Sequence, residues 1–130
     1  MNILAFESSC DETAVAVVRD GRHLLADAIL SQADMHALYG GVVPEIASRK
    51  HVEAIAGLTD QALRDAGLTK RDIDAVAVTY APGLIGAVLV GVSFAKSAAW
   101  ALGVPLIPVC LLYTSPSPRD STSSRMPSSA

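Results

Sequence analysis

NILAFESSCDETAVAVVRDGRHLLADAIL, residues 2–30, carries three short apolar runs separated by two polar interruptions, the pattern of strands that fold back on one another. The runs at 2–6 and 14–18 read as strands, and 22–30 as a weaker third. Asp20-Gly21 between the second and third is a hairpin signal, because a two-residue turn matching strand twist needs positive φ at its centre. The first connection, Ser8 to Thr13, is richer in hydroxyls and carboxylates than a tight turn requires. An antiparallel meander follows from these features.

Downstream of the meander, Pro44 stands where a first helical turn tolerates proline, and Ala47, Ile55, Leu58, Ala62 and Ala66 continue at helical spacing until Gly67 ends the pattern. Residues 69–72 read as a connector and 75–79 as a buried strand, broken by Pro82-Gly83. Residues 84–102 are apolar on nearly every side, which predicts a helix buried against both the sheet and something else. Gly83, Ala87, Gly91 and Ala95 form a small-residue stripe that lets another backbone come close. Gly103 caps this helix, and 104–109 is a last short strand bracketed by Pro105 and Pro108. The predicted order is β-β-β-α-β-α-β, an α/β chain with a mixed sheet and two helices packed on it. After Val109 the composition changes to CLLYTSPSPRDSTSSRMPSSA, with seven serines, three prolines and no periodicity. Residues 1–109 are therefore expected to form one domain, and 110–130 a disordered low-complexity tail.

Composition narrows the function classes. The chain has 130 residues, 51% hydrophobic, which suits one folded domain and excludes general disorder. A net charge of −3, with Arg49-Lys50 and Lys70-Arg71 as the only basic pairs, argues against a cationic surface that holds nucleic acid by itself. The N-terminus has no basic region ahead of its apolar run and Glu7 interrupts that run, so no secretory signal is expected. The longest apolar stretch ends at Lys96, short of the roughly 20 residues that cross a bilayer, so no membrane span is expected. Cys10 and Cys110 are too few for a disulfide framework, and a cytoplasmic location is expected.

The chemistry is concentrated in the first turn. Ser8, Ser9, Asp11, Glu12 and Thr13 offer hydroxyls and backbone N–H groups suited to phosphate oxygens, and carboxylates suited to a hydrated divalent ion. The same residue types also occur in turns simply because they bond their own backbone, so Asp11 and Glu12 read equally as solvated turn residues. Cys10 has no neighbouring Lys or Arg to favour its thiolate and reads as an inert thiol. His23, His36 and His51 do not share a helical turn and do not form a metal pair; His51 falls on the apolar stripe of the first helix, as a core or interface histidine would.

Three segments carry a resemblance to a known family: ESSCDET at 7–13, SQADMHALYGGVVPEIASRKH at 31–51 and AVTYAPGLIGAVLVG at 77–91. Together they resemble the N-terminal lobe of the tRNA N6-adenosine threonylcarbamoyltransferases, formerly described as O-sialoglycoprotein endopeptidases. The resemblance implies an actin-like, Hsp70-like ATPase half-domain, whose element order matches the one read from periodicity. It implies transfer of threonylcarbamoyl from threonylcarbamoyl-adenylate to N6 of the adenosine beside the anticodon in tRNAs reading ANN codons. On it, Asp11 and Glu12 are the catalytic or substrate-positioning pair, while Ser8, Ser9, Cys10 and Thr13 shape the nucleotide-binding turn. It also implies, for the whole family protein, a divalent metal (iron or zinc) and threonylcarbamoyl-adenylate or ATP. The implied partners are a paralogue of the same fold docked through the two helices, an ATPase of the same pathway, and tRNA held by the complete assembly.

The sequence departs from the family where two metal-binding histidines should follow the strand ending IPV: Cys110, Leu111, Leu112 and Tyr113 stand there instead. No metal ligand is expected in this chain. The expectation is a lobe that is inactive alone, with a tail foreign to the family. Three other readings compete: a non-catalytic dimerisation module of the same fold, the older peptidase activity, which needs a metal-bound water, and a sugar or acetate kinase, which should lack the GGVVPEIASR segment.

Overall fold

In the computed structural model, residues 1–111 are described. β1 (Asn2–Glu7), β2 (Glu12–Arg19) and β3 (His23–Ser31) form the meander, followed by a short helix α1 (Ala33–Ala37) and a long one, α2 (Pro44–Ala66). A 3-10 turn (Lys70–Asp72) leads into β4 (Ala75–Ala81), α3 (Ile85–Leu102) and β5 (Leu106–Cys110). The sheet order is β3-β2-β1-β4-β5. β1 is antiparallel to β2 and parallel to β4, and β4 is parallel to β5, so α3 is the crossover between parallel neighbours.

Side-chain alternation sorts the sheet into two faces. Leu4 lies beside Val17 and Val76, and Phe6 beside Val15 and Val78; all six are buried. Both long helices cover this face. α2 contributes Ala47, His51, Ile55, Leu58 and Ala62, and α3 contributes Ala87, Gly91, Ala95 and Ala99, one residue per turn. Phe94 of α3 meets the Phe6 ring edge-on at 5.4 Å. On the opposite face Ala5, Ala14, Ala16 and Ala77 are half-buried and floor a shallow hollow of about 180 Å³ that also touches Glu7, Thr79 and Val109.

Local chemistry places the element ends where the sequence predicts them. Gly67 and Gly103 adopt left-handed φ of 70° and 69°, and the N–H after each reaches back into the last turn, Leu68 to Leu63 and Val104 to Ala99. Asp20 and Gly21 have φ of 55° and 69°, the two positive angles of a hairpin turn closed by the Arg22 N–H on the Arg19 carbonyl at 3.1 Å.

Four expectations need correction. Glu12 and Thr13 belong to β2, paired with Ser31 and Leu30, because the ladder with β3 extends further than apolar patterning shows; the open turn is only Ser8 to Asp11. α1 was not anticipated: five residues are too few for a periodic signal. The last strand includes Cys110, expected in the tail, and Leu111 is helical; the rest of the expected tail lies outside the described residues. Finally, α3 is buried on one side only. Ile85, Leu89 and Trp100 are exposed at 82%, 56% and 88%, since α2 meets one flank and nothing among the described residues covers the outer one. By length and mean hydropathy (1.6) α3 would also suit a membrane, but it lies on the sheet between β4 and β5.

Candidate functional site

The turn from Ser8 to Asp11 sits at the carboxyl end of β1, beside the carboxyl end of the parallel β4, the edge where ligands meet open α/β sheets. Its shape comes from long-range bonds. The Ser8 hydroxyl reaches the backbone of α3, donating to the Ala87 carbonyl at 2.7 Å and accepting from the Gly91 N–H at 3.1 Å, an acceptor and a donor one turn apart. Only glycine fits at 91, because a Cβ there would overlap the Ser8 hydroxyl. Ser9 gives its N–H and hydroxyl to Glu7 Oε1, and its carbonyl accepts from the Leu84 N–H at 2.8 Å. A Cβ on Gly83 would stand 2.5 Å from that same carbonyl. The small-residue stripe predicted to admit another backbone thus admits the turn itself.

α2 holds the other end. His51 is fully buried, with Nε2 2.7 Å from the Cys10 carbonyl and Nδ1 2.7 Å from the Thr13 hydroxyl. The Asp11 carbonyl accepts from the Gln32 N–H at 2.9 Å. Gln32 in turn bonds His36 at 2.7 Å and the Ala47 carbonyl at 3.3 Å, and the Val43 N–H donates to His36 Nδ1, so the segment between β3 and α2 closes on itself behind the turn.

The six residues singled out in the sequence therefore divide. Asp11 is half-buried and Glu12 exposed, and neither carboxylate has a hydrogen bond or ion pair among the described residues. Ser8, Ser9 and Thr13 are buried, with hydroxyls engaged by α3, Glu7 and His51 respectively. Cys10 is exposed; desolvation first, then the Asp11 and Glu7 carboxylates, push its thiol up, which disfavours the thiolate. Sequence reasoning missed two residues. Glu7 was read only as a break in an apolar run, yet its Oε2 is buried with no hydrogen-bond partner among the described residues. His51 was placed in the core without its partners, which lie 38 and 41 residues away and leave no local signal.

A divalent metal does not fit the groups present. Both ring nitrogens of His36 and of His51 are already engaged, and no group of three His, Cys, Asp or Glu among the described residues is arranged to hold an ion.

Comparison with known proteins gives a consistent picture. The family model described as tRNA N6-adenosine threonylcarbamoyltransferase matches residues 23–115. A tRNA N6-adenosine threonylcarbamoyltransferase of Streptococcus pneumoniae is 60% identical over 107 residues, 82% of this chain and 32% of the relative. The chain thus spans about a third of the length of the curated relatives it matches. Among solved structures, YeaZ from Pseudomonas aeruginosa superposes with a TM-score of 0.61 at 20% identity over 85% of this chain and 45% of its own. RuvC from T. thermophilus, solved in complex with a Holliday junction, superposes at 0.54 with 17% identity over 86% and 66%. At these identities the structural likeness shows the fold alone: a half-domain of the actin-like and RNase H-like type.

Proposed function

The chain belongs to the tRNA N6-adenosine threonylcarbamoyltransferase family, and on that premise we propose that it supplies the acidic half of the site that carries threonylcarbamoyl from its adenylate to N6 of the adenosine beside the anticodon. One observation carries the reading: Asp11, the last residue of the turn, and Glu12, the first of β2, are consecutive carboxylates without a hydrogen bond or ion pair among the described residues, at the sheet's carboxyl edge on a backbone tied to α2 and α3.

The reaction forms a bond from N6 to the carbonyl carbon, breaks the bond from that carbon to the phosphate oxygen of AMP, and releases a proton from N6. An exocyclic adenine amine is a poor nucleophile, so a carboxylate placed to take that proton as the bond forms accelerates the step, typically by about 10² to 10⁴-fold. Asp11 or Glu12 is suited to that task, the other to orienting the amine. A rigid turn matters because a base displaced by about 1 Å costs on the order of 10²-fold. The remaining two-thirds of the family protein would supply the opposing wall. The described residues do not fit the family's metal.

The same reading assigns the exposed apolar flank to a partner of the same fold. Val52 and Leu89 project from α2 and α3 beside a groove of about 470 Å³ lined also by Ile55, Ala56, Val90 and Phe94, and apolar surface of this kind supports protein docking. The ATPase and tRNA would join through the assembled enzyme, in the cytoplasm.

A chimera tests the reading: residues 1–109 of this chain replacing the corresponding segment of the Streptococcus pneumoniae relative, assayed with its partner proteins for modified adenosine by nucleoside mass spectrometry. Transfer is expected, with Asp11→Asn or Glu12→Gln lowering kcat by at least about 10²-fold. Full transfer by the doubly substituted chimera would overturn the assignment.

A further inference from the structure

α2 presents one polar side chain on its buried stripe. Ala47, Ile55, Leu58, Ala62 and Leu63 are the other buried residues of that helix, and His51 lies in the middle of them with no exposure at all. Burying an imidazole is unfavourable unless both nitrogens are satisfied, and a leucine would fill comparable space without that demand. Here both nitrogens are satisfied by one short stretch of chain. The Cys10 carbonyl only accepts, so Nε2 carries the hydrogen; Nδ1 then takes the hydrogen of the Thr13 hydroxyl, each at 2.7 Å. Cys10 and Thr13 flank Asp11 and Glu12 on either side.

We infer that His51 is a positioning residue: its ring spans the acidic dipeptide from behind and fixes the direction in which Asp11 and Glu12 face. Its catalytic consequence rests on the proposed transferase reading; its structural consequence does not. Two backbone bonds also hold the turn, from Leu84 to Ser9 and from Gln32 to Asp11. Neither constrains the Cys10 carbonyl or the Thr13 side chain. The Ser8 contact with α3 secures only the entry to the turn. Among the described residues, His51 alone ties both sides of the acidic pair to a helix. Because α2 also packs on β2 and β3, the ring transmits the position of that helix to the pair.

The test separates positioning from packing. His51→Leu fills the space and removes both bonds; His51→Gln keeps a donor and an acceptor at the end of the side chain; Thr13→Val removes one bond and leaves the ring. In the 130-residue chain, long-range imidazole spectra should show a single Nε2–H tautomer. His51→Leu should speed amide exchange across residues 10–13 by about tenfold or more while β4 amides stay protected. In the chimera, His51→Leu should lower kcat by about 10- to 100-fold with KM within about twofold. His51→Gln should recover most of that loss, and Thr13→Val should show part of it. If His51→Leu stays folded and neither turn exchange nor kcat changes, the inference is wrong. It is equally wrong if Gln rescues no better than Leu, or if Thr13→Val, should the Leu variant not fold, leaves both readouts at the parent value. A parent chimera without activity would refute the transferase reading, and the exchange and tautomer measurements would still decide the role of His51.

Discussion

β2 has a turn at each end, and the two are built on opposite principles. The turn at Asp20-Gly21 is exposed and closes on itself through two residues with positive φ and one local hydrogen bond. Its outside ties among the described residues both go to Met1: the Asp20 N–H donates to the Met1 carbonyl at 2.8 Å, and the Asp20 carboxylate pairs with the terminal ammonium at 2.8 Å, both ends exposed. The turn at Ser8–Asp11 owes little to its own backbone chemistry and is shaped by partners as far as 83 residues along the chain. A connection that only reverses the chain needs local rules alone. The connection that carries the proposed acidic pair is held from a distance, and that is where the buried polar groups among the described residues are concentrated.

If the comparison is right, substitutions should rank by which turn they touch. Asp11→Asn and Glu12→Gln come first, with losses of about 10² to 10⁴ in kcat in the chimera and an unchanged urea midpoint, because they remove chemistry and no packing. Gly91→Val should follow: its side chain collides with the Ser8 hydroxyl and displaces the turn from α3, costing about 3 kcal/mol of stability by urea denaturation together with activity. Ser8→Ala deletes the hydroxyl that bonds the Ala87 carbonyl and the Gly91 N–H and adds no bulk, so about 1 kcal/mol and a smaller kinetic defect are expected. Gly21→Ala, in the other turn, should cost about 1 kcal/mol through its positive φ and leave kcat untouched.

Asp20→Asn ranks last. A hydrogen bond from the terminal ammonium, reinforced by its charge, holds the Asp20 carboxyl below its usual range, and the same bond raises the Met1 amine. The carboxylate's contribution is present above its unfolded pKa and lost as pH falls through the lower folded value. The amine's contribution is present below its unfolded value and lost as pH rises through the higher folded one. The pair therefore acts only between those limits, and full exposure with salt screening leaves it small. Melting curves should show a difference below that of Gly21→Ala, vanishing at both pH extremes. A larger kinetic effect from the Asp20 turn than from the Ser8 turn would undo the contrast.

The same contrast explains what the sequence disclosed. Elements with local punctuation were legible: the meander from alternation and Asp20-Gly21, the ends of α2 and α3 from Gly67 and Gly103, and β4 as a buried strand from its apolar run. The acidic pair was visible as residue types. Its setting was not, because Thr13 becomes a strand residue through pairing with Leu30, and His51 meets Cys10 and Thr13 only once α2 has docked. α1 escaped for a related reason: it is fixed by the contacts of His36 with Gln32 and Val43 rather than by repeating apolar positions.

The hydroxyl of Ser8 lodged in α3 has a temporal consequence. β1 finds β2 almost at once along the chain, but its bonds to β4 and α3 wait for segments some seventy or more positions later, and such distant closures form late and slowly. During folding, an intermediate made of the first three strands would display the acidic dipeptide without its aim. The turn takes its final shape only after both long helices have docked, α2 through His51 and α3 through Ala87 and Gly91.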